Sequence, residues 1–92
     1  LSMDDVVTAY YLRMRVDDRP GVLAAVAGIL SDNGISIEAM HQKEPAVGET
    51  QVPLVMLTHA VSEARMNTAL GAIESLDAVA GEVTRIRVEP LG

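Results

Sequence analysis

Asp17-Asp18-Arg19-Pro20-Gly21-Val22-Leu23-Ala24, answered further along by Asn33-Gly34-Ile35-Ser36-Ile37, brackets one helix and sets what lies on either side of it. Asp18 is placed to cap free backbone amides and Pro20 is tolerated in a first turn, so a helix is expected to start here. Val22, Leu23, Val26, Ile29 and Leu30 recur on one face, and Asn33-Gly34 ends the run with a glycine suited to a left-handed C-cap. Upstream, from Ala9 to Val16, Tyr10, Leu12, Met14 and Val16 alternate with Tyr11, Arg13 and Arg15, which is the period of a strand. Downstream, Ile35, Ile37 and Ala39 alternate with Ser36, Glu38 and Met40 to about Gln42, giving a second strand.

The rest of the chain repeats this order. Lys43 to Thr50, with Pro45 and Gly48, reads as a hairpin loop. Val52 to His59 reads as a third strand, apolar enough through Leu54-Val55-Met56-Leu57 for a central position, with Pro53 near its start where a missing donor matters least. Ser62 and Glu63 open a second helix whose stripe is Met66, Ala69, Leu70, Ile73 and Leu76; Ala80-Gly81 breaks the chain, and Val83 to Val88 closes as a fourth strand. Right-handed crossovers then give an α+β fold, a ferredoxin-like βαββαβ sandwich: a four-stranded antiparallel sheet, strands one and three central, with two helices on one face. Arg13, Arg15, Arg85 and Arg87 are expected to share the face that no helix covers, either as a solvated surface balanced by Asp17, Glu82 and Glu89 or as a docking surface.

Composition excludes several functions. Ninety-two residues suffice for one core. A formal charge of −6 repels phosphate backbones, and Tyr10 and Tyr11 alone provide no stacking platform, so no nucleic-acid partner is expected. The absence of cysteine removes disulfides, thiolate ligands and thiol nucleophiles, and accords with a reducing cytoplasm. No apolar run reaches the ~20 residues of a membrane helix. His41 and His59 fall on different strands without further ligands at metal-binding spacing, and Glu38 and Glu44 have no partner acid, so neither a metal site nor a catalytic constellation is expected. The methionines at 14, 40, 56 and 66 suit buried faces or an interface.

The run from Asp18 to Ala24, with Gly34-Ile35-Ser36-Ile37 after it, is similar to the signature of the ACT-domain family. Tyr11-Leu12-Arg13, Leu54-Val55-Met56-Leu57-Thr58-His59, Glu63 and Ile86-Arg87-Val88-Glu89 extend the likeness to the C-terminal segment of homoserine dehydrogenases, over roughly residues 9 to 89. The resemblance implies a regulatory domain over residues 9–92, joined by a linker over residues 1–8 to a catalytic region that uses NAD(P), in a cytoplasmic enzyme of threonine and methionine biosynthesis. It implies feedback control with threonine as the effector. No cofactor is expected in this domain, because the sequence lacks G-x-G-x-x-G.

ACT domains take small amino acids between the loop after strand one and the start of strand two of a paired domain. The residues here suit that: the amides of Gly21, Val22 and Leu23 at a helix N-terminus favour a carboxylate, and Asp18 is the nearest partner for an ammonium. Asn33, Ile35 and Ser36 are the candidates on the strand-two side, with Asn33 also readable as a C-cap and Ser36 standing where relatives often carry asparagine. A homodimer joined through sheet edges is expected, since a bare edge leaves unpaired donors and acceptors. An assembly module without ligand is the alternative. An acylphosphatase-like enzyme, suggested by Arg19 in the first loop, is disfavoured because Pro20 removes an amide from the anion cradle.

Overall fold

Alternation along β1 (Val7–Asp17) buries Tyr10, Leu12, Met14 and Val16, and this row organises everything around it. The computed structural model describes residues 7–88. Strand β1 begins two residues before the alternation starts at Ala9, taking in Val7 and Thr8; the linker expected over residues 1–8 otherwise lies outside the described residues, as does Glu89. After β1 come α1 (Val22–Asp32), β2 (Ile37–Gln42), β3 (Gln51–Thr58), a two-residue β4 (Val61–Ser62), α2 (Glu63–Glu74) and β5 (Val79–Val88).

The strands lie in the order β2-β3-β1-β5, all antiparallel, with β4 pairing the beginning of β1. This is the expected ferredoxin-like α+β sandwich, with β1 and β3 central. Strand β3 is not apolar through and through: Val52, Leu54, Met56 and Thr58 are buried while Pro53, Val55 and Leu57 are only half covered. The helices cover one face alone, so the residues between the buried ones look the other way.

Val22, Val26 and Leu30 of α1 and Met66, Ala69, Leu70 and Ile73 of α2 meet the inner rows of β1 and β3 in one cluster, with Leu23, Ile29 and Leu76 packed at its margin. Each large side chain removed from water there contributes ~1.5–3 kcal/mol before entropy is counted. Buried Thr58 fills a gap in the ladder: its Oγ1 accepts from the Tyr10 amide at 3.1 Å and donates to the His59 carbonyl at 2.9 Å. The Tyr10 hydroxyl is buried without a hydrogen-bond partner among the described residues.

Two irregularities are invisible in the pattern. Gly81 does not break the chain before the last strand but sits inside β5 at φ 71°, and there the pairing passes from Arg13↔Thr84 to Arg15↔Ala80, so β5 carries extra residues as a bulge. Strand β2 starts at Ile37, leaving Ile35 and Ser36 before it, and shifts register between Ile37 and Ala39.

The arginine face is a correction. Arg85 stands opposite Leu12 and Arg87 opposite Tyr10, on the helix side of the sheet, whereas Arg13 and Arg15 are on the open side. Strand β5 is an edge strand that the helix layer covers incompletely. Long cationic side chains can therefore lie along α2 with their heads in water; Arg87 reaches Glu63 at 3.1 Å, and Arg85 lines a recess with Asn67, Glu74 and Glu82. Ile86 and Val88 consequently face outward, 55% and 38% exposed. Of the four methionines among the described residues, Met14, Met56 and Met66 are buried and Met40 is exposed.

Candidate functional site

Helix α1 starts without a side-chain cap. Its N-cap is Gly21 at φ 87°, no side chain among the described residues accepts from the first turn, and that turn contains no acid. Asp18 therefore does not cap, contrary to one of its two expected roles: its own amide donates to the Thr50 carbonyl at 2.9 Å, which ties the loop to the end of the β2–β3 connection. Pro20 precedes the N-cap and lies outside the first turn. Glycine is required at position 21 by the left-handed backbone and not by crowding, since a Cβ there would meet nothing within 4 Å.

This leaves the amides of Val22, Leu23 and Ala24 with no intrahelical acceptor. The first amide with one is Ala25, which donates to the Gly21 carbonyl at 2.9 Å. Val22 lines two concave regions at this helix start, and Leu23 one of them. One, of about 450 Å³, is bounded by Asp18, Gly21, Val22, Leu23 and Gln42; the other, of about 340 Å³, lies between Gly21, Val22 and Ala25 on one side and Leu76, Asp77 and Ala78 on the other. The loop after α2 is held against β1 by the Asp17 amide donating to the Ala78 carbonyl at 2.8 Å. The loop thus presents donors and a carboxylate together, the complement of a zwitterion.

Asp18, Gly21, Val22 and Leu23 are brought together, and Asn33, Ile35 and Ser36 are not among them. The latter three follow the far end of α1, whose 11 residues span ~16 Å. Asn33 is the C-cap, and its side chain donates to the Ile29 carbonyl at 2.8 Å. Gly34 at φ 73° and the Ile35 amide, which donates to the Leu30 carbonyl at 2.9 Å, complete a Schellman ending, with Ile35 buried against the core. Only Ser36 is exposed with a free side chain direction, its carbonyl accepting from the His59 amide at 2.9 Å. The two groups of candidate residues therefore lie at opposite ends of one helix.

Sequence reasoning missed Gln42, Leu76, Asp77 and Ala78, which only the strand order brings to the first loop. It also missed Arg65, whose Nη1 lies 2.6 Å from where a Cβ on Gly34 would stand, so α2 leans on the turn into β2. No sequence signal links these positions.

A family model for the ACT domain matches residues 10–78. Homoserine dehydrogenase of Methylobacillus glycogenes is 52% identical over 91 residues, covering 99% of this chain and 22% of that protein. That of Pseudomonas aeruginosa is 50% identical, with 99% and 21% covered. The crystal structure of a homoserine dehydrogenase from Thiobacillus denitrificans superposes with a TM-score of 0.88 at 54% identity, over 100% of this chain and 20% of that one. The chain thus spans about a fifth of the length of the relatives it matches.

Proposed function

This chain belongs to the ACT-domain family, and from that premise we propose that it is the effector-sensing part of a homoserine dehydrogenase, taking a small amino acid, threonine, in the service of feedback control. The observation that carries the reading is the uncapped start of α1, where Val22 and Leu23, whose amides have no intrahelical acceptor, border one concave region with Asp18. The carboxylate of threonine meets the amides of Val22 and Leu23, helped by the helix dipole, and its ammonium meets Asp18. The separation of the half-sites supports a ligand held between two copies, the start of β2 of a second copy bringing its Ser36 to the threonine hydroxyl.

Pairing through sheet edges suits that arrangement. Strand β2 is an exposed edge with unpaired backbone groups along one side, and a second β2 would satisfy them and extend the sheet. Regulation then follows if threonine binds one arrangement of paired domains better than another, a coupling of typically ~1–3 kcal/mol. The nicotinamide chemistry belongs to the remainder of such an enzyme. Gly21, Gly28 and Gly34 begin, interrupt and end α1 here and form no dinucleotide cradle.

Calorimetry on the wild type, Asp18→Ala and Ser36→Ala tests the reading. Charge-assisted hydrogen bonds contribute about twice what neutral ones do, so Asp18→Ala is expected to weaken threonine more than Ser36→Ala. Equal affinities in all three, or no binding to a folded dimer, favours an assembly module of the same fold.

A further inference from the structure

The sheet face away from the helices is more apolar than the sequence led one to expect. Residues opposite one another in the ladder share a face, so Tyr11, Leu57 and Ile86 form one outward row and Ala9 and Val88 another. Val7, 62% exposed, continues the alternation on that side, and Ala39 and Val55 extend it towards β2. Farther along the same face Arg13 and Arg15 stand opposite Val55 and Pro53. The face is thus apolar at one end, while the other carries Arg13 and Arg15 with Asp17 beyond them in the same row.

Its size and position point to what covers it. Four strands at ~4.8 Å spacing and about eight residues at ~3.3 Å give a footprint of roughly 500 Å². The apolar end is about half of that, a size ordinary for a functional patch on a monomer and well below the ~800 Å² per partner of a stable interface between free proteins. Such a surface holds a partner best when the partner is tethered, because a short connection gives effective concentrations of about millimolar. The tether is at hand: the described residues begin with Val7 on β1 and end with Val88 on β5, neighbouring strands, and both of these positions adjoin the patch.

We propose that the open face of β5, β1 and β3 seats another part of the same longer polypeptide, an apolar segment against Tyr11, Leu57, Ile86 and Val88 with acidic side chains opposite Arg13 and Arg15. This rests on the reading that the domain functions within a longer enzyme, of which the chain spans about a fifth in its relatives. It does not depend on threonine or on the half-sites at the ends of α1. The coupling it supplies is direct: whatever repositions paired domains also pulls on the part of the enzyme seated here.

Thiol footprinting tests it. Ile86→Cys and Val88→Cys place a thiol on the patch, and Asn67→Cys places one on the exposed side of α2; the 92-residue chain has no cysteine of its own. Maleimide labelling is followed by peptide-resolved mass spectrometry, in this chain and in the full-length polypeptide that carries it. In the full-length protein the patch thiols are expected to label at least about ten-fold more slowly than the Asn67→Cys thiol, and at similar rates to it in the 92-residue chain. Arg13→Glu with Arg15→Glu in the full-length protein is expected to restore fast labelling. Equal rates in the full-length protein overturn the proposal, and so does slow labelling already present in the 92-residue chain, which assigns the face to a second copy. Homoserine-dependent reduction of NAD(P) by the same full-length preparation tests the parent activity separately.

Discussion

Helices α1 and α2 begin in opposite ways. At α2 the Ser62 side chain accepts from the Arg65 amide at 3.3 Å, Glu63 lies in the first turn, and the same Glu63 is bound to Arg87 on β5. The start of α2 is closed by its own side chains. At α1 the N-cap is a glycine, the first turn has no acid, and the nearest carboxylate, Asp18, belongs to a loop directed by its backbone bond to Thr50. A glycine at the N-cap costs only a few tenths of a kcal/mol against a capping side chain, so the start of α1 is left open to solvent at a small cost that an incoming carboxylate can offset. The difference between the two starts teaches where a ligand has something to gain.

Substitutions that change one start and spare the other sharpen this contrast. Gly21→Ala forces a side chain into the left-handed region and is expected to destabilise the fold by about 1–2 kcal/mol while weakening threonine, read by urea unfolding and calorimetry. Ser62→Ala removes the α2 cap and is expected to cost about 1 kcal/mol with threonine affinity unchanged; a parallel loss of affinity would break the contrast. Glu63→Gln removes the ion pair to a partly exposed Arg87 and is expected to cost less than about 1 kcal/mol, diminishing with salt. The smallest effect is expected of Tyr10→Phe, within about 1 kcal/mol of the wild type and on the stabilising side, because it removes a buried hydroxyl that has no partner among the described residues.

The sequence makes the strand, helix and turn order legible because hydrophobic period and turn chemistry agree at nearly every step. Tyr10, Leu12, Met14 and Val16 alternate where one face is buried, and Ser62 and Asn33-Gly34 mark helix ends with the residues their caps need. What fails is what depends on partners distant in sequence. The alternation of Arg85 and Arg87 with Ile86 and Val88 is plain, but assigning it to a face requires the register with β1, and a shift of one residue inverts the assignment. Two arginines beside two aliphatic residues suggest that the aliphatic pair is buried; on an edge strand beside the acids of α2 the opposite arrangement is satisfied. Asp18 shows the same limit at close range. An aspartate three residues before Gly21 resembles a cap, and only the backbone bond to Thr50 reveals that it serves the loop. Half of the candidate site was legible as a motif, while Gln42 and the Leu76-Asp77-Ala78 loop reach it through the strand order.

Backbone amide shifts during a threonine titration of the isotopically labelled protein test the central claim most directly, because they compare both helix starts in one sample. The account predicts saturable shifts at the amides of Gly21, Val22, Leu23 and Ala24, accompanied by Ser36, with Glu63 and Ala64 at the start of α2 unmoved. Saturable shifts centred on Glu63 and Ala64, or none at Val22 and Leu23 when threonine is in large excess over the protein, would contradict it.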